Sequence, residues 1–207
     1  VERLDTISFD VHHTTYRTKT SSVGLRHQNE IMSVYFAFPK EYIDKYKGDN
    51  MISLYDEFIS KFYDPSKHIL LATGENAKDI ISIYERYPNI IKGFGELKCY
   101  DEYIHGKLPY GNTDWIMPVL EYNRNIGLPV YIHYNLDDDT KVSDFENLLK
   151  TYKFPIVLCH CGMHDDCDYV GIHYKILKLM NTYDNLYVDI SHDAIDFYIK
   201  NINTIFI

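Results

Sequence analysis

Residues 157–173 read VLCHCGMHDDCDYVGIH and hold three of the chain's four cysteines and three of its ten histidines. That density of thiols and imidazoles raises three chemistries: a zinc knuckle, a disulfide cluster, or a strand end carrying one functional histidine among buried thiols. Successive residues of a strand point to opposite faces, so Cys159, His160 and Cys161 cannot converge on one ion. With His160 facing inward, Cys159 and Cys161 face outward and read as buried apolar thiols. A disulfide between them does not fit, since they are neighbours along one strand face.

Other titratable residues stand where short apolar runs end. The run 6–12 closes on Asp10, Val11, His12 and His13; the run 90–97 closes on Glu96, Leu97 and Lys98; the run 128–134 carries His133; and the run 185–191 carries Asp189 and Ser191. Period-two alternation puts Asp10, His12 and Thr14 on one face, Glu96 and Lys98 on one face, and Tyr131, His133 and Asn135 on one face. A single histidine at a strand end is more often structural than functional. Histidines on three different strands, each at the same end, reverse that balance. Imidazoles converging with a carboxylate suit Zn²⁺ or a similar divalent ion such as manganese or iron. The candidate ligands are His12, His133, His160 and Glu96. Glu96 is open to three readings: ligand, general base, or satisfied polar residue; Lys98 is its candidate salt-bridge partner. Asp189 is a weaker catalytic candidate, and Ser191 reads as a helix cap. His164, in the loop 162–168, is a candidate substrate contact. The acids of that loop read as solvated residues at a helix start, with Asp165 or Asp166 near the positive helix end. The acidic run 135–144 lacks EF-hand spacing. Tyr100, Tyr103, Tyr110 and Trp115 could line a pocket or simply pack.

The elements that must position these groups follow from hydrophobic period. Eight apolar runs, at 6–12, 31–38, 68–74, 90–97, 128–134, 154–162, 185–191 and 203–207, read as strands. Helical spacing fills the segments 51–63, 75–87, 114–127, 143–152, 169–183 and 193–202. Pro118 delays or distorts the start of the third helix, and Ser143 with Glu146 has capping-box spacing at the fourth. Strands alternating with helices require parallel pairing through crossovers, and eight of them predict a single-domain (β/α)8 TIM barrel over 1–207. In such a barrel the chemistry sits at the C-terminal strand ends, where the residues above lie.

The bulk numbers agree. A hydrophobic share of 45% supports a sizeable core, and a formal charge of −9 disfavours nucleic acid or an anionic membrane as the main partner. No apolar run reaches the ~18 residues of a membrane span, the first residues have no signal-peptide core, and four cysteines make no disulfide scaffold. A cytoplasmic protein is expected, with a small-molecule substrate; oligomeric state is not readable.

With these residues placed, the chain resembles the metal-dependent amidohydrolase superfamily, in particular the amidohydrolase-related TIM-barrel hydrolases. The resemblance rests on FDVHH, GFGEL, GLPVYIH, PIVLCHCG and NLYVDIS, in that order along nearly the whole chain. It implies hydrolysis by metal-activated water, with His-x-His from the first strand, one His each from the fifth and sixth strands, and an Asp from the eighth. Some members add a bridging carboxylate or carboxylated lysine on the fourth strand, where Glu96 and Lys98 lie. The chain departs from the pattern twice. Thr14 stands where a second first-strand ligand is expected, unless His13 reaches the site from an irregular strand end. The chain also stops at NTIFI, before the expected Asp, so a barrel truncated at or just after the eighth strand is expected. The leading expectation is a metal-dependent hydrolase of small amides or esters. Alternatives are a TatD-type deoxyribonuclease, a related decarboxylase, and a degenerate barrel that binds without turnover.

Overall fold

The computed structural model describes residues 9–14 and 32–37 as strand backbone and, with side chains, residues 51–61, 63–66, 68–74, 76–99, 113–163, 167–190, 194, 196–198 and 200–201. Seven strands are described: β1 (Phe9–Thr14), β2 (Met32–Ala37), β3 (His68–Ala72), β4 (Ile91–Lys98), β5 (Val130–His133), β6 (Ile156–Leu158) and β7 (Leu186–Val188). They form one sheet in the order β1-β2-β3-β4-β5-β6-β7, and every adjacent pair is parallel. The expected eighth strand, 203–207, lies outside the described residues.

Five helices alternate with the strands: α1 (Met51–Lys61), α2 (Ala77–Arg86), α3 (Met117–Asn123), α4 (Asp139–Thr151) and α5 (Tyr169–Met180). Strict sequence order separates this sheet from a doubly wound one, whose order reverses at a switch point and covers both faces. Right-handed crossovers between sequential neighbours put every helix on one face, and the sheet must curl away from them. The burial pattern agrees. Leu70, Ala72, Phe94, Leu97, Val130, Ile132, Ile156 and Leu158 join helix residues such as Ile80, Ile83, Phe145 and Ile176 in the main core. Leu71, with Ile69 and Tyr131 against it, forms a separate small cluster on the other face. Each fully buried Leu, Ile or Phe contributes ~1.5–3 kcal/mol of transfer free energy.

Several boundaries differ from expectation. Helix α4 starts at Asp139 rather than at Ser143, because Asp138 in the acidic run accepts a hydrogen bond from Lys141 N and caps it. Ser143 instead bonds back to the Asp139 carbonyl. At α5 the cap is Asp168, which accepts from Gly171 N, while Asp165 and Asp166 lie outside the described residues. Pro118 sits in the first turn of α3, after a short 3₁₀ stretch Asp114–Ile116, as the late-start reading required. Strand β6 stops at Leu158, four residues short of the predicted end.

The decisive irregularity is in β4. Phe94 pairs with Val130 and Leu97 with Ile132, so three steps along β4 match two along β5. The extra residue falls at Gly95–Glu96. This bulge breaks the period of two, leaves Phe94 and Leu97 together in the helix-side core, and turns Glu96 to the opposite face. Gly95 makes it possible. Its φ is +130°, and a Cβ there would lie 2.5 Å from the Tyr131 carbonyl oxygen. Gly95→Ala is therefore expected to cost about 3 kcal/mol or more. Gly127→Ala is the control: φ is +79° with nothing within 4 Å of the added methyl, so backbone strain alone costs about 1–2 kcal/mol there. Urea denaturation of the two variants checks the difference.

Candidate metal centre

The bulge delivers Glu96 to the end of β5. Lys98 pairs in register with His133, the last residue of that strand, so both face the side that Glu96 now faces. Glu96 Oε1 lies 2.5 Å from His133 Nδ1 and 3.4 Å from His160 Nε2. The two imidazoles meet edge to face with centroids 4.5 Å apart. All three side chains are buried, at 6%, 9% and 4% exposure, so their polar atoms must satisfy one another or a bound group.

His160 reaches this point through a strained backbone. After Leu158 the chain leaves the strand, and His160 (φ 53°, ψ 28°) and Cys161 (φ 52°, ψ 28°) are both left-handed. Two successive non-glycine residues in that region cost ~1–2 kcal/mol each, so surrounding contacts must hold them. Asp189 supplies these from just beyond β7. Its Oδ1 accepts from His160 N at 3.0 Å; its carbonyl accepts from Cys161 N at 3.0 Å and Cys161 Sγ at 3.2 Å; its N–H donates to Leu158 O at 3.1 Å. Gly162 (φ +63°) completes the turn, with Leu136, Leu158 and the Tyr134 carbonyl packed where a side chain would stand. The structure therefore makes Asp189 a positioning residue for His160, whose Nδ1 is 3.9 Å from its carboxylate.

This geometry corrects the reading of the cysteines. Alternation stops where the chain turns, so Cys159 and Cys161 do not share an outward face. Cys161 lies in the helix-side core, whereas Cys159 lies against Asp189 and stands apart from that core. Burial, with the Glu96 and Asp189 charges nearby, pushes the Cys159 thiol well up, and burial pushes Cys161 up to about 12. Neither thiol belongs to the Glu96–His133–His160 group, and burial favours the neutral form of both.

The remaining candidates are placed as follows. His12 and His13 lie on β1, whose pairing with β2 shifts register on both sides of His13; their side chains, and with them any part in this centre, lie outside the described residues. His164 and Ser191 lie outside the described residues, as do Tyr100, Tyr103 and Tyr110. Lys98 is half-buried, and its charge helps to disfavour protonation of His133. Trp115 donates its indole N–H to the Lys98 carbonyl at 3.0 Å, a packing role. His68 and His173 bond elsewhere, to Asp64 N and to Tyr198 Oη.

Glu96, His133 and His160 fit a divalent cation. One donor atom from each lies within 4.8 Å of the others, and the nitrogen–nitrogen–oxygen set is one that zinc and similar ions accept. The 3.4 Å between His160 Nε2 and Glu96 Oε1 matches the ligand-to-ligand edge of about 3.4 Å that ~2.1 Å bonds make in a tetrahedron. The 2.5 Å between Glu96 and His133 is instead a hydrogen-bond distance, and such a bond orients the ring. Burial outweighs the Glu96 interaction and holds His133 down to about 4, so the imidazole is neutral, as a ligand must be.

No protein-family model and no curated protein matches the chain. Among solved structures it is similar to an uncharacterized TIM-barrel protein from Bordetella bronchiseptica, at 12% identity and a TM-score of 0.52. The likeness covers 89% of this chain and 66% of that one, so the chain spans just under two thirds of its neighbour's length. It shows the fold, an α/β TIM barrel. No helix among the described residues is long and apolar enough to cross a membrane.

Two outcomes follow for the centre. A His133 imidazole whose pKa falls from 6.5 to about 4 on folding binds its proton more tightly in the unfolded chain. Its contribution is complete above pH 6.5 and is lost as pH falls toward 4, by roughly 3 kcal/mol at most. Denaturation in chelator across that window should show a slope that His133→Asn lacks. For Asp189, the alanine variant should lose about 2 kcal/mol through the freed His160 N–H, and the asparagine variant, which keeps an acceptor, less than half of that.

Proposed function

We propose that this chain is a metal-dependent hydrolase of small molecules bearing an amide, ester or similar acyl bond. The observation that carries the reading is the buried Glu96–His133–His160 group at the C-terminal ends of β4, β5 and β6. A barrel uses that end for chemistry, and the three side chains converge there with donor atoms that a divalent ion accepts. Zinc suits the donor set best, with manganese or iron as alternatives.

His133 and His160 would hold the ion through ring nitrogens, and Glu96 either joins them or orients His133. A divalent cation in such a setting supplies activation of water and polarisation of an acyl oxygen. Glu96 Oε1, between the two rings, is the proton acceptor placed to take a proton from attacking water. It can return that proton to the leaving group, and its bond to His133 Nδ1 keeps the carboxylate aimed during both transfers. Asp189 keeps His160 in its left-handed conformation throughout. The formal charge of −9 favours a small substrate over a nucleic acid.

Elemental mass spectrometry on untagged protein tests the reading. Near-stoichiometric zinc, manganese or iron is expected. The His133→Ala/His160→Ala double variant should lose at least about a hundredfold in affinity. A wild-type chain that takes up no metal after incubation with Zn²⁺ would defeat the hydrolase reading and leave a barrel that binds without turnover.

A further inference from the structure

Beyond the metal centre, Asn135 is one of the buried residues that packing does not explain. It is 3% exposed, and its carboxamide oxygen is buried without a hydrogen-bond partner among the described residues. A buried acceptor left unmatched calls for a reason, and at the functional end of a barrel that reason is a ligand donor.

Its placement supports this. Tyr134 stacks on Phe145 of α4, and Leu136 lies in the same helix-side core. Asn135 lies between them, two residues beyond His133 at the end of β5. The segment is fixed by Leu136 N donating to Gly162 O at 3.2 Å and by Lys175 Nζ donating to Leu136 O at 3.2 Å. The first bond joins it directly to the turn that carries His160. Asn135 therefore stands in the segment beyond β5 that is hydrogen-bonded to the turn beyond β6, two residues from His133.

We infer that Asn135 is a specificity-determining residue whose carboxamide oxygen accepts an N–H from the bound substrate. The site thus selects amides and related N–H-bearing acyl compounds over esters. The inference rests on the metal-centre reading and narrows its substrate class. An ester offers no donor and leaves the acceptor bare; an amide N–H beside the acyl carbon satisfies it. Sites built to hydrogen-bond one group reject analogues lacking it more strongly than apolar pockets reject size differences.

The test uses the zinc-loaded full chain and two chelating probes, acetohydroxamic acid and its N-methyl derivative, which differ in one N–H. Calorimetry should show the wild type preferring the N–H compound by about tenfold. Asn135→Leu keeps the size and removes the acceptor. It should bring the two affinities within about twofold, with zinc stoichiometry and melting temperature unchanged or raised. Asn135→Asp keeps an acceptor and should keep the preference. Equal affinities in the wild type, a preference surviving in Asn135→Leu, or a melting temperature several degrees lower in that variant would each overturn the assignment. Stoichiometric zinc without discrimination between probes removes Asn135 alone; failure to bind zinc removes the metal centre with it.

Discussion

A carboxylate and an imidazole, both nearly buried, stand 2.5 Å apart at the ends of two neighbouring strands, and the surrounding structure is arranged around that contact. Neither group can be buried alone at tolerable cost. To bring them together β4 must carry one residue more than β5 opposes, and Gly95 must lack a side chain because the β5 backbone passes through the space a Cβ would fill. The same bulge keeps Phe94 and Leu97 in the helix-side core, where Phe94 packs against Tyr84 of α2. One irregularity thus serves both faces of the sheet.

The third member of the group is held differently. His160 lies beyond the end of its strand, on a turn whose backbone is unfavourable for any residue with a Cβ. Its position depends on the next strand, through a carboxylate that takes the His160 N–H and a carbonyl that takes the Cys161 N–H. Rigid strands fix Glu96 and His133, while a hydrogen-bonded clamp fixes His160. The outcome is three donors whose geometry is set before any ligand arrives, which is what a site of this kind requires. Burial that keeps His133 neutral belongs to the same arrangement, since a ring protonated on both nitrogens has no lone pair for an ion.

Much of this was legible in the residues. Strand-helix alternation predicts the parallel pairing that the sheet has, and the gathering of histidines and acids at the ends of apolar runs singles out His12, Glu96, His133 and His160, of which the last three converge while the His12 side chain lies outside the described residues. Ile80 and Ile83, three residues apart, share the buried face of α2, as helical spacing requires. Less was legible where local rules compete. Asp138 rather than Ser143 caps α4, because an acid before the helix and a hydroxyl within it both have capping spacing. The Cys159-His160-Cys161 run has the pattern of a strand, yet the chain turns there: nothing in those residue types announces left-handed backbone, which Asp189 holds from 28 or 29 residues away.

Local sequence therefore determined the period of each element, the parallel architecture and the residue types available for chemistry, because these depend on side-chain alternation and on polar groups at strand ends. Only the tertiary structure decided which way those side chains finally point. The β4 bulge needs β5 alongside it, the His160 turn needs Asp189, and the burial that leaves His133 neutral needs the whole barrel wall. Each is a contact between residues distant in the chain, and no short stretch of sequence contains both partners.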